Sequence, residues 1–147
     1  MKLFRGYVKT KDKKCIEPFK NRTDLKTFEE VKNLPEFAGV LAKDVVLIDV
    51  DDQETSEILF KIVQDLKLQC RVYATSRGKH FFFKNTDTVK SNKIKCKLAI
   101  GLTADIKLGS RNSYSILKYK NQFRAILYDT KDKEYQEIPK WLTPVKS

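Results

Sequence analysis

The sequence predicts an α+β fold: a mixed or antiparallel sheet with packed helices and at least one crossover connection. Three observations carry this. Val45 to Ile48 is a run of β-branched and aliphatic residues without helical spacing, which suits a strand covered on both faces. From Gln53 to Leu66, Ile58, Leu59, Ile62, Val63 and Leu66 recur at helical spacing between polar neighbours, so a helix follows and covers one face of the sheet. Cys70 to Thr75 and His80 to Lys84 then read as strands joined by a turn at Ser76 to Lys79, where Gly78 supplies the unusual dihedral. Strand, helix, strand and hairpin in that order need a crossover.

The remaining elements follow in order. Leu3, Phe4, Tyr7 and Val8 suggest a first strand, and Lys9 to Lys14 reads as a solvated lysine-rich loop, with a phosphate-backbone contact as its functional alternative. Thr27 and Glu30 have capping-box spacing and open a short helix that Leu34 and Pro35 close. Pro35 to Ala42 reads as a loop with Gly39 at a turn. Asp52 is the expected N-cap of the central helix. Thr86 to Lys97 is polar and lysine-bearing, a loop, whereas Thr103 to Leu108 alternates as a strand should. Gly109 to Asn112 is a turn, and Ser113 to Tyr119 with Phe123 to Tyr128 predicts an antiparallel pair around Lys120, Asn121 and Gln122. Trp141 and Leu142, flanked by Pro139 and Pro144, read as a packing anchor. There is no internal repeat.

At 147 residues the expectation is one domain, 1–147, large enough to bury a single core. The net charge of +11, from 30 Lys and Arg against 19 Asp and Glu, points to a polyanionic partner. No apolar run is long enough to span a bilayer and no basic amphipathic helix carries an aromatic face, so nucleic acid or nucleotide is expected rather than membrane. Residues 1–20 lack the apolar core of a signal peptide. Three cysteines, never two or three apart, and one histidine do not make a standard structural zinc site. Reduced thiols and a cytoplasmic location are expected.

Candidate chemistry begins at the end of the central strand. Asp49 and Asp51 alternate onto one side of an extended chain, roughly 6.5–7 Å apart at the backbone. Two ionised carboxylates that close repel unless a cation neutralises them, so both are read as metal ligands, against the bland reading of a polar strand end. The lone His80 lies beside a Ser/Arg/Lys-bearing turn, and Asp105 is followed two residues later by Lys107 on the same strand face. Together these describe an anionic floor for divalent ions, with Arg77, Lys79, His80 and Lys107 placed to hold the oxygens of a metal-bound triphosphate.

The order DVD (Asp49 to Asp51), SRGKH (Ser76 to His80) and ADIK (Ala104 to Lys107) resembles the three signature motifs of the archaeo-eukaryotic primase superfamily. The likeness is to the primase-polymerase domain of phage, plasmid and mobile-element replication proteins, and covers Leu41 to about Pro144. It implies an RRM-like sheet as a primase-polymerase catalytic core, with Asp49, Asp51 and Asp105 binding two Mg²⁺ or Mn²⁺ ions. Ser76 and His80 would contact the phosphates of the incoming nucleotide, and charge and placement add Lys107, Arg77, Lys79 and Arg111. The implied partners are a DNA template and primer, nucleoside triphosphates, and a helicase domain or partner protein, the chain being a catalytic part of a larger protein or a small stand-alone form. The usual Ser-x-His is stretched here to Ser76-Arg77-Gly78-Lys79-His80. Two alternatives stand beside this: a metal-dependent nuclease using Asp105-x-Lys107, and a non-catalytic RRM-like module with Tyr73, Phe81 or Phe83 stacking on bases. A single histidine excludes initiator chemistry of the two-histidine type.

Overall fold

The structure is a computed structural model that describes residues 1–145. The chain runs β1 (Phe4–Lys11), β2 (Lys14–Cys15), α1 (Phe28–Val31), β3 (Phe37–Leu41), β4 (Val45–Val50), α2 (Gln53–Asp65), β5 (Arg71–Ala74) and β6 (Lys79–Lys84). It continues through β7 (Lys93–Lys97), β8 (Thr103–Leu108), β9 (Tyr114–Tyr119), β10 (Gln122–Phe123) and β11 (Ile126–Tyr128). Two sheets result, ordered β10-β9-β3-β1-β2 and β11-β5-β6-β4-β8-β7, with antiparallel pairing throughout these orders. Because β4 and β5 are both antiparallel to β6, they run parallel to each other, and α2 is the crossover of a split β-α-β unit. The α+β expectation holds, and antiparallel pairing dominates.

The alternation of β4 sorts its side chains between two cores. Val46, Ile48 and Val50 join Phe81, Phe83 and Ile106 beneath Leu59 and Val63 of α2. Val45 and Leu47, on the opposite face, join Phe82 and Tyr73 and pack against Phe4, Phe37 and Leu117 of the five-stranded sheet. Beyond that sheet, Val8, Ala38, Val40 and Ile116 are covered by Phe19 and Leu25 of the segment after β2. Asp52 caps α2 as expected, accepting a bond from the Thr55 amide at 2.7 Å, and the Thr27–Glu30 capping box is present on the four-residue α1. Leu142 is fully buried in the α2-side core with Trp141 packed beside it.

Four segments differ from expectation. The tract Lys9 to Lys14 is not a loop but the hairpin of β1 and β2, with Thr10 paired to Cys15 and Lys11 to Lys14. Residues 35–42 are not a loop: they contain β3, between β1 and β9, with all five residues buried. Gly39 is required there by packing, since a Cβ at that position would stand 2.5 Å from the Phe4 ring and 2.8 Å from Leu117. The polar segment Thr86 to Lys97, expected as a loop, ends in β7, an exposed edge strand beside β8. Ile126–Tyr128 does not extend the β9 hairpin but crosses to the other sheet and pairs with β5. Among the described residues, no helix is long and apolar enough to cross a membrane, and the three cysteines are free thiols.

Candidate functional site

The register of the six-stranded sheet brings distant residues into one row. Asp49 on β4 pairs with His80 on β6 and with Asp105 on β8. Directly paired residues of antiparallel strands share a face, so all three lie on the face of Val45 and Leu47, turned toward the five-stranded sheet. At this end the space between the sheets opens into a cleft of about 720 Å³, lined by Asp49, His80, Asp105, Lys107 and, from β9, Ser115.

The hydrogen bonds of His80 fix its proton. Its Nδ1 lies 3.2 Å from the Ser115 hydroxyl and 3.4 Å from Nη1 of Arg124. A guanidinium can only donate, so Nδ1 accepts and the proton sits on Nε2, which donates to Oδ1 of Asp49 at 3.3 Å. Burial pushes the imidazole below its ordinary value; Asp49 opposes this, while Arg124 and Lys107 reinforce it. His80 is therefore neutral at pH 7. Burial acts to raise the Asp49 carboxyl, but His80 and Lys107, the latter at 3.5 Å from Oδ2, outweigh it and hold the group below the usual carboxylate range. Asp49 is ionised.

Asp105 is oriented by a different device. Lys93 pairs with Ile106 and Cys96 with Ala104, so two residues of β7 oppose Asp105 alone, a β-bulge. Lys95 takes a left-handed conformation (φ 46°), and its amide donates to Oδ1 of Asp105 at 2.7 Å. Arg124 is placed by the step between sheets. Its amide bonds to Leu117 of β9 at 2.8 Å, while the carbonyl of Ala125 accepts from Ala74 of β5 at 2.9 Å, which leaves the guanidinium between the sheets beside His80. Around the two carboxylates stand Lys13, Lys20, Lys93, Lys107, Arg111 and Arg124. Six cations against two acids give the cleft a net positive charge, which favours anions.

Asp49, His80, Asp105, Lys107 and Arg111 thus meet in the cleft, and four sequence-predicted residues do not. β4 ends at Val50, so the alternation that would carry Asp51 to the face of Asp49 stops one residue short. Asp51 instead pairs with Arg77 at 3.2 Å, and both are largely exposed. Ser76, in the same turn, is exposed and outside the cleft lining. Lys79 precedes His80 on one strand and so faces the other way: it is buried beneath α2, bonded to Ser56 at 3.2 Å and paired with Glu57. Tyr73, Phe81 and Phe83 are all buried and offer no stacking surface. Ser115 and Arg124 went unnoticed in the sequence, because only the pairing of β9 with β3 and the crossing at residues 124–125 bring them to His80.

No protein-family model, curated protein or solved structure matches the chain. What the site can hold is judged by its own donors. Among the described residues no three His, Cys, Asp or Glu side chains form a metal-sized group. Asp49 and Asp105, register partners in a solvent-open cleft, fit a hard cation of the Mg²⁺ class, which takes one or two carboxylates and completes its shell with water or phosphate oxygens. The expected set of three acids for two ions requires Asp51 to exchange Arg77 for metal.

Proposed function

We propose that the protein is a template-directed nucleotidyltransferase, a DNA primase-polymerase of the kind its motifs resemble in phage and mobile-element replication. The carrying observation is the row His80–Asp49–Asp105 on the floor of a cationic cleft, which unites one residue from each of three motifs. The split β-α-β arrangement of β4, α2, β5 and β6, flanked by β8, supports an RRM-like core.

In this reading a nucleoside triphosphate enters with its phosphates toward Lys107 and Arg124, whose donors neutralise the oxygens as charge shifts to the leaving group. A divalent ion, held by Asp49 and Asp105, would polarise the α-phosphate and favour ionisation of the primer hydroxyl. Ionised Asp49 keeps its cation-binding form without any proton transfer at pH 7. Neutral His80 keeps an Nε2–H to donate to Asp49 or to a phosphate oxygen, and Ser115 and Arg124 lock its ring. Lys107, paired with Asp49 in the metal-free protein, is free to turn to phosphate once the carboxylate is engaged. The 3′-oxygen bonds to the α-phosphorus, the bridging P–O bond breaks, and pyrophosphate leaves; positioning and charge neutralisation carry the rate.

Primer extension on a labelled primer–template with Mg²⁺ or Mn²⁺ tests this. Asp49→Asn and Asp105→Asn should each lower the rate at least about 10²–10³-fold, and wild-type rates in both variants would reject the assignment.

A metal-dependent nuclease is the second reading, favoured by one observation: Asp51 lies outside the cleft, which leaves Asp49, Asp105 and Lys107 as an acid, acid, lysine set. Release of labelled nucleotides from DNA with metal but no triphosphate, lost in Lys107→Met, would select it over the polymerase.

A further inference from the structure

The catalytic cleft does not end at Arg111. The short helical turn Gly109–Arg111, with Asn112 after it, is ringed by two further hollows that share lining residues with the cleft and with each other. Arg111 lines both the cleft and a hollow of about 410 Å³ that also contains Lys90 and Lys43. Lys43 and Ser110 line that hollow and the next, of about 350 Å³, where Arg5 and Arg22 join them. Asn112 closes the ring, lining this last hollow and the cleft.

The charge of this path is one-sided. The two hollows present Arg5, Arg22, Lys43, Lys90 and Arg111 against the single carboxylate of Asp87. Arg22 pairs with Asp24 and Lys90 with Asp87, but Arg5, Lys43 and Arg111 form no ion pair among the described residues. Arg5 is nevertheless held in place: Nη1 donates to the Arg22 carbonyl, and Nη2 to the Phe19 carbonyl at 3.3 Å and to Oδ1 of Asn112 at 3.1 Å. All three acceptors are neutral, so the guanidinium is oriented without being neutralised. The turn itself is pinned. A Cβ on Gly109 would stand 1.7 Å from the Ala42 carbonyl, so the turn lies directly against the residue preceding Lys43. Asn112, in a left-handed conformation, also accepts from the Asn21 amide at 2.8 Å, fastening the segment after β2 to the same turn.

A row of cations bent around a turn does not suit a single phosphate, which asks for donors converging on one point. It suits a chain of phosphates. We propose that a single-stranded nucleic acid leaves the cleft past Arg111 and follows this path around the Gly109–Asn112 turn, its phosphodiester backbone against Lys90, Lys43 and Arg5. Identifying that strand as the template rests on the polymerase reading of the cleft; the track itself rests on the hollows and their charge. The contacts are to backbone phosphates, so they carry no sequence preference.

Lys43 and Lys90 are exposed, so replacing them tests the track without threatening the fold. Binding of a labelled oligodeoxythymidylate is followed by anisotropy over a range of salt concentrations. For Lys43→Gln/Lys90→Gln the plot of log K against log salt should be shallower than wild type by about 1.4, at about 0.7 per lost phosphate contact on a single strand. An oligoribouridylate should show the same change, and a duplex of equal length should not. Lys61→Gln/Lys67→Gln, exposed on α2 and just beyond it, should keep the wild-type slope. The proposal is overturned if the Lys43/Lys90 variant keeps that slope, if the control pair loses as much, or if the wild-type protein binds no single strand. A lost slope in a protein that extends no primer would sink the polymerase reading and leave the track; Asp49-dependent extension with an unchanged slope would do the reverse.

Discussion

His80 has one ring nitrogen facing a carboxylate and the other facing a hydroxyl and a guanidinium, and that asymmetry decides its protonation. Were Nδ1 to carry a proton, it would point a donor at a donor, so the Nε2–H tautomer is the one consistent with Arg124. In the metal-free protein at pH 7, nitrogen NMR of the imidazole should report a protonated Nε2 and a bare Nδ1. A doubly protonated ring, or the opposite tautomer, would remove the geometric basis for His80 as a neutral donor in the cleft. At this scale the sequence was partly legible. The period of two in a strand correctly sets Lys107 on the face of Asp105, and applied to Lys79 and His80 it separates them, since consecutive strand residues cannot both face the cleft. Asp51 failed for a different reason: the length of β4, ending at Val50, is set by the start of α2 at its Asp52 cap and not by any property of Asp51 itself.

At the level of elements, runs were legible and partners were not. The β4 run and the presence of α2 depend on local pattern alone, and both match the structure. Of the expected apolar face of α2, however, only Leu59 and Val63 are fully buried, while Ile58 and Leu66 are exposed. β3 was hidden because Gly39 mimics a turn residue, its true cause being the Phe4 and Leu117 side chains that pack on it. β11 was recognisable as extended, yet nothing local shows that it leaves the β9 hairpin for β5. What holds that exchange in place is Asp129, just after β11. It accepts from Nε of Arg71 on β5 at 3.2 Å, with Nη2 of the same guanidinium 3.1 Å away as an ion pair, from the Tyr135 hydroxyl at 2.7 Å, and from Lys133. Burial acts to raise this carboxyl, but Lys133, Tyr135 and Arg71 together hold it below the ordinary 3.8. A carboxyl depressed in the folded state stabilises the fold above its unfolded value, and the contribution is lost as pH falls through the folded value. Asp129→Asn should therefore destabilise the protein by about 1–3 kcal/mol at pH 7, with the difference from wild type shrinking as urea titrations are repeated at decreasing pH below about 4. A difference that stays constant across that range would place the origin of the tie elsewhere.

For the molecule as a whole, the cleft exists because two sheets are held together at one end and left open at the other. Phe82 is the hinge of that arrangement. It is fully buried, its ring 5.6 Å from Phe4 of the five-stranded sheet and 5.5 Å from Tyr73 of its own, and it lies two residues from His80 on the same strand face. The core around it draws Phe4, Phe37 and Leu117 from one sheet and Val45, Leu47 and Tyr73 from the other, so neither sheet can bury its inner face alone. The two should then unfold as one cooperative unit. Phe82→Ala, by removing a large buried ring, should cost about 3–5 kcal/mol. Far-UV dichroism, which follows both sheets, and Trp141 fluorescence, which follows the core beneath α2, should still report a single coincident transition. If the two signals separate in the wild-type protein, the sheets are independent units. The distances from Ser115 and Arg124 to His80 would then be set by a loose docking, and a site assembled across the gap could not hold the proposed triphosphate in register with Asp49 and Asp105.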